Sequence, residues 1–158
     1  MGEDNEKAGQ GPVVLFKRLS GDPDWPLPAY GSAGAAGLDL KAAVEGPVTM
    51  APGAIRLIPT GWAVAIPRGY EGQIRPRSGL ALKQGLTVIN APGTIDSDYR
   101  GEVGLAMVNL GPDEVTINRG DRLAQLVVAR AERPRLALSE DLGDTARGGG
   151  GFGSTGVL

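Results

Sequence analysis

Residues 55–75 read IRLIPTGWAVAIPRGYEGQIR. Short strand-like runs, Ile55–Ile58, Ala63–Ile66 and Gln73–Arg75, are separated by the turn pairs Thr60-Gly61 and Arg68-Gly69. Runs of this length, bounded by Gly and Pro, fit β-strands better than helices, which need ten or more periodic residues. The same pattern continues in both directions. Toward the N-terminus, strands are expected at Val13–Arg18, Leu38–Ala42 and Val48–Met50, with a turn at Pro52-Gly53. Between the first two, Pro23, Pro26 and Pro28 mark an extended stretch that cannot be a central strand. Toward the C-terminus, strands are expected at Thr87–Ile89, Val103–Asn109, Val115–Ile117, Leu123–Ala129 and Arg135–Leu138, with turns at Pro92-Gly93 and Gly111-Pro112. One short helix fits, Ser78–Gln84, with Ser78 as its N-cap and Gly85 just past its end. The sequence therefore predicts an all-β single domain of the jelly-roll kind with one short helix. Residues 1–12 read as a disordered tail, 13–138 as the core and 139–158 as a flexible Gly-rich arm.

Composition narrows the chemistry. Gly and Pro make up 38 of the 158 residues, 26 and 12 respectively, which borders on low complexity. Hydrophobic residues at 41%, recurring in short runs, favour a folded chain with many turns instead. There is no Cys and no His, which excludes disulfides, thiolate nucleophiles, imidazole bases and ordinary zinc sites. Acid–base work falls to Asp, Glu, Lys, Tyr or the backbone. The net charge of −2 offers no attraction for nucleic-acid polymer. Arg outnumbers Lys twelve to four, through base composition or through a need for forked phosphate donors. No apolar run is long enough to span a membrane, and the polar, acidic start is neither signal nor transit peptide, so a cytoplasmic location is expected. Aromatic residues are 4%, and a core so poor in rings would be helped by subunit association.

Five segments carry candidate chemistry. In Gly93–Gly101, GTIDSDYRG, Asp96 and Asp98 fall on one side of an extended chain and Ile95 on the other. A carboxylate there could deprotonate water, or could simply cap turn amides. In Pro76–Leu80, PRSGL, the backbone amides, Arg77 and the Ser78 hydroxyl suit an anion, while capping alone would need only Ser78. In Arg147–Gly156, RGGGGFGSTG, Gly amides could nest a phosphate, with Phe152 available for stacking, or the run could be a linker. In Arg119–Leu126, RGDRLAQL, Gln125 is a polar residue within an otherwise buried run and needs a partner, and Asp121 is expected to pair with Arg119 or Arg122. Asp39 heads the apolar strand in Ala36–Leu40, AGLDL, and says little alone.

Taken in chain order, AGLDL (36–40), PRSGLALKQGL (76–86), GTIDSDYRGEVG (93–104), RGDRLAQL (119–126) and RGGGGFGSTG (147–156) resemble the five motifs of the trimeric dUTPase family. The resemblance covers about residues 13–157. It implies a jelly-roll, β-clip-like subunit in a homotrimer, with active sites at subunit interfaces and the C-terminal arm closing over the site of a neighbouring subunit. The implied reaction is dUTP plus water to dUMP and pyrophosphate, with Mg²⁺ on the triphosphate. It limits uracil in DNA and supplies dUMP for dTMP synthesis.

The resemblance also implies roles for matching residues. Asp96 is the general base for water attacking the α-phosphate, and Gln125 contacts phosphate and that water. Tyr99 packs under deoxyribose. Asn90, Thr94, Ile95 and the backbone at Gly104 belong to the nucleoside pocket. Arg77, Ser78 and Gly79 bind phosphate. Arg147, Gly153, Ser154 and Thr155 clamp the γ-phosphate, and Phe152 stacks on the base. Asp39 holds either the metal's water shell or a phosphate-binding Arg. Two rivals remain. A dCTP deaminase shares the jelly roll but needs a Glu-centred site, and the interior of VGLAMVN (103–109) contains no Glu. A non-enzymatic nucleotide-binding trimer is the other.

Overall fold

The computed structural model describes residues 11–151. Among them are strands β1 (Leu15–Arg18), β2 (Ala29–Tyr30), β3 (Leu38–Lys41), β4 (Val48–Met50), β5 (Ile55–Ala65), β6 (Tyr70–Pro76), β7 (Leu86–Val88), β8 (Gly93–Ile95), β9 (Glu102–Asn109), β10 (Val115–Ile117) and β11 (Arg122–Arg130), and helix α1 (Ser78–Gln84). Three antiparallel sheets result, in the orders β1-β5-β9-β7, β2-β3-β11-β6-β8 and β10-β4. The fold is thus all-β with one short helix, as the residue pattern predicts.

Alternation fixes which faces meet. In β9 the inward side chains are Val103, Leu105 and Met107, each at most 2% exposed. From the five-stranded sheet come Leu40, Ile74, Ala124 and Leu126, and all of these join one buried cluster. A two-sheet sandwich is the arrangement that removes both apolar faces from water. Buried Asn109 ties its edge together: its amide donates to the carbonyls of Met50 (2.9 Å) and Asp113 (2.8 Å), and its carbonyl accepts from Gly111 N–H (2.9 Å).

Several sequence expectations are corrected. β5 runs unbroken from Ile55 to Ala65, because Thr60-Gly61 is a bulge within one strand and not a turn between two. The strands β2 and β8 were not expected; one has two residues and follows Pro28, the other has three. No strand forms at Arg135–Leu138, and Leu136 (94%) and Leu138 (102%) stand fully exposed, since nothing among the described residues pairs with them. The helix has the expected bounds, but its N-cap is Arg77, with extended φ and ψ and no side-chain cap bond, and Ser78 is the first helical residue. Gly85 closes the helix at φ 66°, where its N–H bonds to the Ala81 carbonyl. A Cβ there would also collide with the backbone of Gly111, so glycine is required twice over.

Candidate functional site

Two clefts collect most of the sequence-singled residues; β6 lines the first through Ile74, and Arg77, just past its end, lines the second. The first is a cavity of about 180 Å³ lined by residues of β6, β8 and β9 and the loops around β8. Asn90, Thr94, Ile95, Asp96, Tyr99 and Gly104 all line it. β8 pairs with β6, opposing Gly93 to Ile74 and Ile95 to Gly72. The pairing buries Ile95 and leaves Asp96 exposed at the strand end. The chain then turns, with Tyr99 N–H bonding to the Asp96 carbonyl at 3.1 Å. Asp98 falls in this turn and does not line the cavity. The turn thus separates two carboxylates that an extended chain would have kept on one side.

Tyr99 is held from below. Its hydroxyl donates to the Glu102 carbonyl at 2.8 Å. Its ring lies so close over Gly101 that a Cβ there would strike the phenol. Arg100 closes the turn by donating to the carbonyls of Ser97 (2.8 Å) and Tyr99 (2.6 Å). Gly93 admits Asn90: a Cβ on Gly93 would lie 3.0 Å from the Asn90 amide nitrogen. Glu102 also lines this cleft, a residue the sequence reading did not single out. Its carboxylate is engaged, accepting the Gly61 N–H at 2.8 Å.

The second cleft, about 540 Å³, lies where β3, β11 and the start of α1 meet. Asp39, Arg77, Ser78, Gly79 and Gln125 line it. The register of β3 against β11 places Asp39 opposite Gln125. Asp39 grips two guanidinium groups, one on each oxygen: Arg77 Nε at 3.3 Å and Arg122 Nη1 at 3.1 Å. Arg77 also donates to the Arg122 carbonyl at 3.1 Å. Partly exposed pairs of this kind add at most about 1 kcal/mol of stability each. Their consequence is positional: two forked donors stand side by side. Helical spacing adds Lys83 one turn beyond Gly79. Three cations against one carboxylate make a site for a polyanion.

Gln125 is fixed by contact and by a hydrogen bond. Its amide reaches the Pro76 carbonyl at 3.4 Å. A Cβ on Gly37 would lie 2.9 Å from its Oε1, so glycine at 37 is the space Gln125 occupies. Sequence reasoning missed Arg122 and Lys83 as cleft residues. It paired Asp121 with Arg119 or Arg122, but Asp121 instead accepts the Asn118 N–H at 2.7 Å and closes a turn. Arg119 turns away to Asp22 at 3.1 Å and stacks over Trp25 at 4.2 Å. The β3–β11 register, which brings Arg122 to Asp39, is not visible in local sequence.

Arg147 lies in neither cleft; its Nε donates to the Gly150 carbonyl at 2.8 Å within its own turn. Phe152, Gly153, Ser154 and Thr155 lie outside the described residues. Among the described residues no group of three or more Asp, Glu, His or Cys is placed to hold a metal ion. Both oxygens of Asp39 are taken by guanidinium groups.

A jelly-roll sandwich with a carboxylate-edged pocket and a polycationic cleft on the same sheet defines a nucleotide-handling protein. The dUTPase family model matches residues 23–156, and the chain belongs to that family. It is 58% identical over 149 residues to the deoxyuridine 5'-triphosphate nucleotidohydrolase of Caulobacter vibrioides, covering 93% of this chain and 96% of that one. It is 59% identical over 147 residues to the enzyme of the same name from an Anaeromyxobacter species, covering 92% and 99%. Among solved structures it resembles the Staphylococcus bacteriophage 80alpha dUTPase with dUPNHPP, at TM-score 0.82 and 28% identity, covering 92% of this chain and 99% of that one. It also resembles a variant of the dUTPase from Staphylococcus aureus phage phi11, described for the coordination of a structural Mg(II) ion, at TM-score 0.73 and 27% identity, covering 82% and 98%.

Proposed function

We propose that this chain hydrolyses dUTP to dUMP and pyrophosphate, with Asp96 as the base that deprotonates the attacking water. The observation that carries this reading is the composition of the first cleft. Asp96 stands at the edge of a pocket whose other walls are Asn90, the Tyr99 ring and the backbone around Gly104. Asn90 and backbone groups can match the donor and acceptor edge of uracil. Cytosine would present the wrong pattern, and the pocket's tight walls leave thymine's methyl unaccommodated. Tyr99, held down on Gly101, offers a flat face to deoxyribose and no partner for a ribose 2′-hydroxyl.

The polycationic cleft suits the triphosphate. Arg77 and Arg122 are pre-aligned by Asp39, so little reorganisation is needed when phosphate arrives. Gln125 is placed to orient water and a phosphate oxygen. Asp39, by its contacts, acts through the arginines and would reach a metal only through water. Mg²⁺ fits as a partner of the substrate's phosphate oxygens and waters, since it keeps its hydration shell readily and the described residues build no cage for it. When bound there it supplies neutralisation of phosphate charge. Catalysis by the chain itself is then positioning, proton removal by Asp96 and charge stabilisation by fixed cations.

The proposed assembly is a homotrimer. The outward face of the four-stranded sheet supports association: Leu57 opposes Ala106 and Pro59 opposes Gly104, and Ile55 (51%) and Leu57 (73%) stand exposed on it. Residues 139–158 are proposed to act as an arm over a neighbouring subunit's site, with Arg147, Phe152, Gly153, Ser154 and Thr155 contacting base and γ-phosphate. Residues 1–12 carry no proposed role. No described helix is long and apolar enough to cross a membrane, and the proposed compartment is the cytoplasm. The test is pyrophosphate release from dUTP, dCTP, dTTP and UTP with Mg²⁺, with ammonia assayed in parallel. Release confined to dUTP supports the reading. Ammonia from dCTP would favour the deaminase alternative, and no turnover of any nucleotide would favour a binding protein.

A further inference from the structure

We propose that Thr60 is a positioning residue for the nucleoside cleft, acting from the neighbouring strand β5 through the carbonyl of Val103. The starting point is the bulge in β5. Strand β5 pairs with β9 through Pro59 opposite Gly104, and pairing resumes at Ala63 opposite Glu102. Between them three residues of β5, Thr60-Gly61-Trp62, face one of β9, Val103, a surplus of two, and Gly61 takes φ 74°. Such a bulge leaves backbone groups on both strands without ladder partners. Here each strand answers with a side chain. The Thr60 hydroxyl donates to the Val103 carbonyl at 2.6 Å. The Glu102 carboxylate accepts the Gly61 N–H at 2.8 Å.

This reciprocal pair clamps Glu102 and Val103, and those two residues with Gly104 form one wall of the first cleft. The Glu102 carbonyl, in turn, receives the Tyr99 hydroxyl at 2.8 Å. The bulge therefore sets both the cleft wall and the seat of Tyr99. Thr60 is 1% exposed and does not line the cleft, so substrate cannot touch it. Its own carbonyl is held from outside by the Trp25 indole N–H at 2.8 Å. The result is a relay of contacts from Trp25 through Thr60 to Val103. Among the described residues Thr60 and Asn109 are the two buried polar ones, and Asn109 serves the opposite end of β9. A threonine kept at the core where valine would pack equally well needs a reason, and the Val103 carbonyl supplies one.

The inference rests on the reading that this cleft takes the nucleoside of dUTP. The test compares Thr60→Val, which keeps the shape and removes the donor, with Thr60→Ser, which keeps the donor. Steady-state kinetics with Mg-dUTP, binding of dUMP and thermal melting are measured for each. Thr60→Val is expected to raise KM for dUTP and the dissociation constant for dUMP together, by about tenfold, which is about 1.4 kcal/mol. The kcat at saturation is expected to stay within about threefold, because Asp96 and the phosphate cleft are untouched. Thr60→Ser should restore parental KM even if its melting temperature is lower, since it forfeits only a methyl. Trp25→Phe, which removes the outer donor, should raise KM in the same direction by about two- to threefold, and it carries the test should Thr60→Val not fold. Parental KM in Thr60→Val, or in Trp25→Phe when Thr60→Val does not fold, overturns the proposal, as does an equal KM rise in Thr60→Ser. A parent that neither turns over dUTP nor binds dUMP would instead fail the underlying functional reading.

Discussion

Substituting Gly37 by Ala tests whether Gln125 is placed for chemistry or only packed. An added Cβ would lie 2.9 Å from Gln125 Oε1, 3.0 Å from its Cβ and 3.5 Å from its Cδ. Unstrained carbon contacts fall at about 3.5–4.0 Å, so the Cβ pair is too close by roughly half an ångström to an ångström. The amide oxygen could swing aside, but the Cβ is anchored to β11, in register with Asp39. The strain therefore falls on the alignment of Gln125 with the Pro76 carbonyl. Overpacking of this size costs about 1–3 kcal/mol, and at about 2–4 °C per kcal/mol in a chain of this length the melting temperature should fall by several degrees. Displacement of a water-orienting group by such a distance costs up to about a hundredfold in rate, so kcat should fall about 10- to 100-fold with KM less affected. The control is Gly34→Ala, where an added Cβ meets nothing within 4 Å, and parental kinetics are expected. Pyrophosphate release and thermal unfolding on both proteins give the answer. If Gly37→Ala lowers the melting temperature but keeps parental kcat, the assignment of Gln125 is refuted.

Deleting residues 147–158 should reduce kcat/KM for dUTP by at least about a hundredfold, the scale of lost positioning, while sedimentation and melting of the core remain parental; full activity in the truncated chain would remove the arm from the mechanism. Acid stability offers a third check. The Asp24 N–H and then the Arg119 side chain hold the Asp22 carboxyl below its ordinary value of 3.8. A lowered folded pKa means the contribution is complete above the unfolded value and is lost as pH falls through the folded one. Asp22→Asn should therefore melt below the parent at neutral pH, and the gap should close as pH drops below 3.8.

Much of this architecture was legible in the chain, and the failures have specific causes. Val48–Met50, Val115–Ile117 and the helix Ser78–Gln84 appear with the expected bounds, because turn residues flank each on both sides. Thr60-Gly61 misled because a bulge and a turn use the same residue types. Leu136 and Leu138 alternate as a strand should, but a strand needs a partner, and the described residues supply none. Asn90, Thr94, Ile95, Asp96, Tyr99 and Gly104 line one cleft and Asp39, Arg77, Ser78, Gly79 and Gln125 the other, so the motifs picked out residues that the fold brings together, Arg147 excepted. What local sequence did not reveal was their second layer. Arg122 reaches Asp39 only through the β3–β11 register, over 83 residues of chain. Thr60 reaches Val103 across 43 residues, at a bulge whose existence only the sheet discloses. Long-range pairing decides both, and no window of sequence contains it.

The central claim is that Asp96 removes a proton from water in a site otherwise devoted to binding. Single-turnover hydrolysis of Mg-dUTP by Asp96→Asn, measured beside dUTP affinity, tests it most directly. Asn keeps the size and the hydrogen-bonding reach but cannot accept the proton. Parental affinity is expected, with turnover reduced by about 10²–10⁴-fold, the range for loss of a general base. Hydrolysis at the parental rate would contradict the claim.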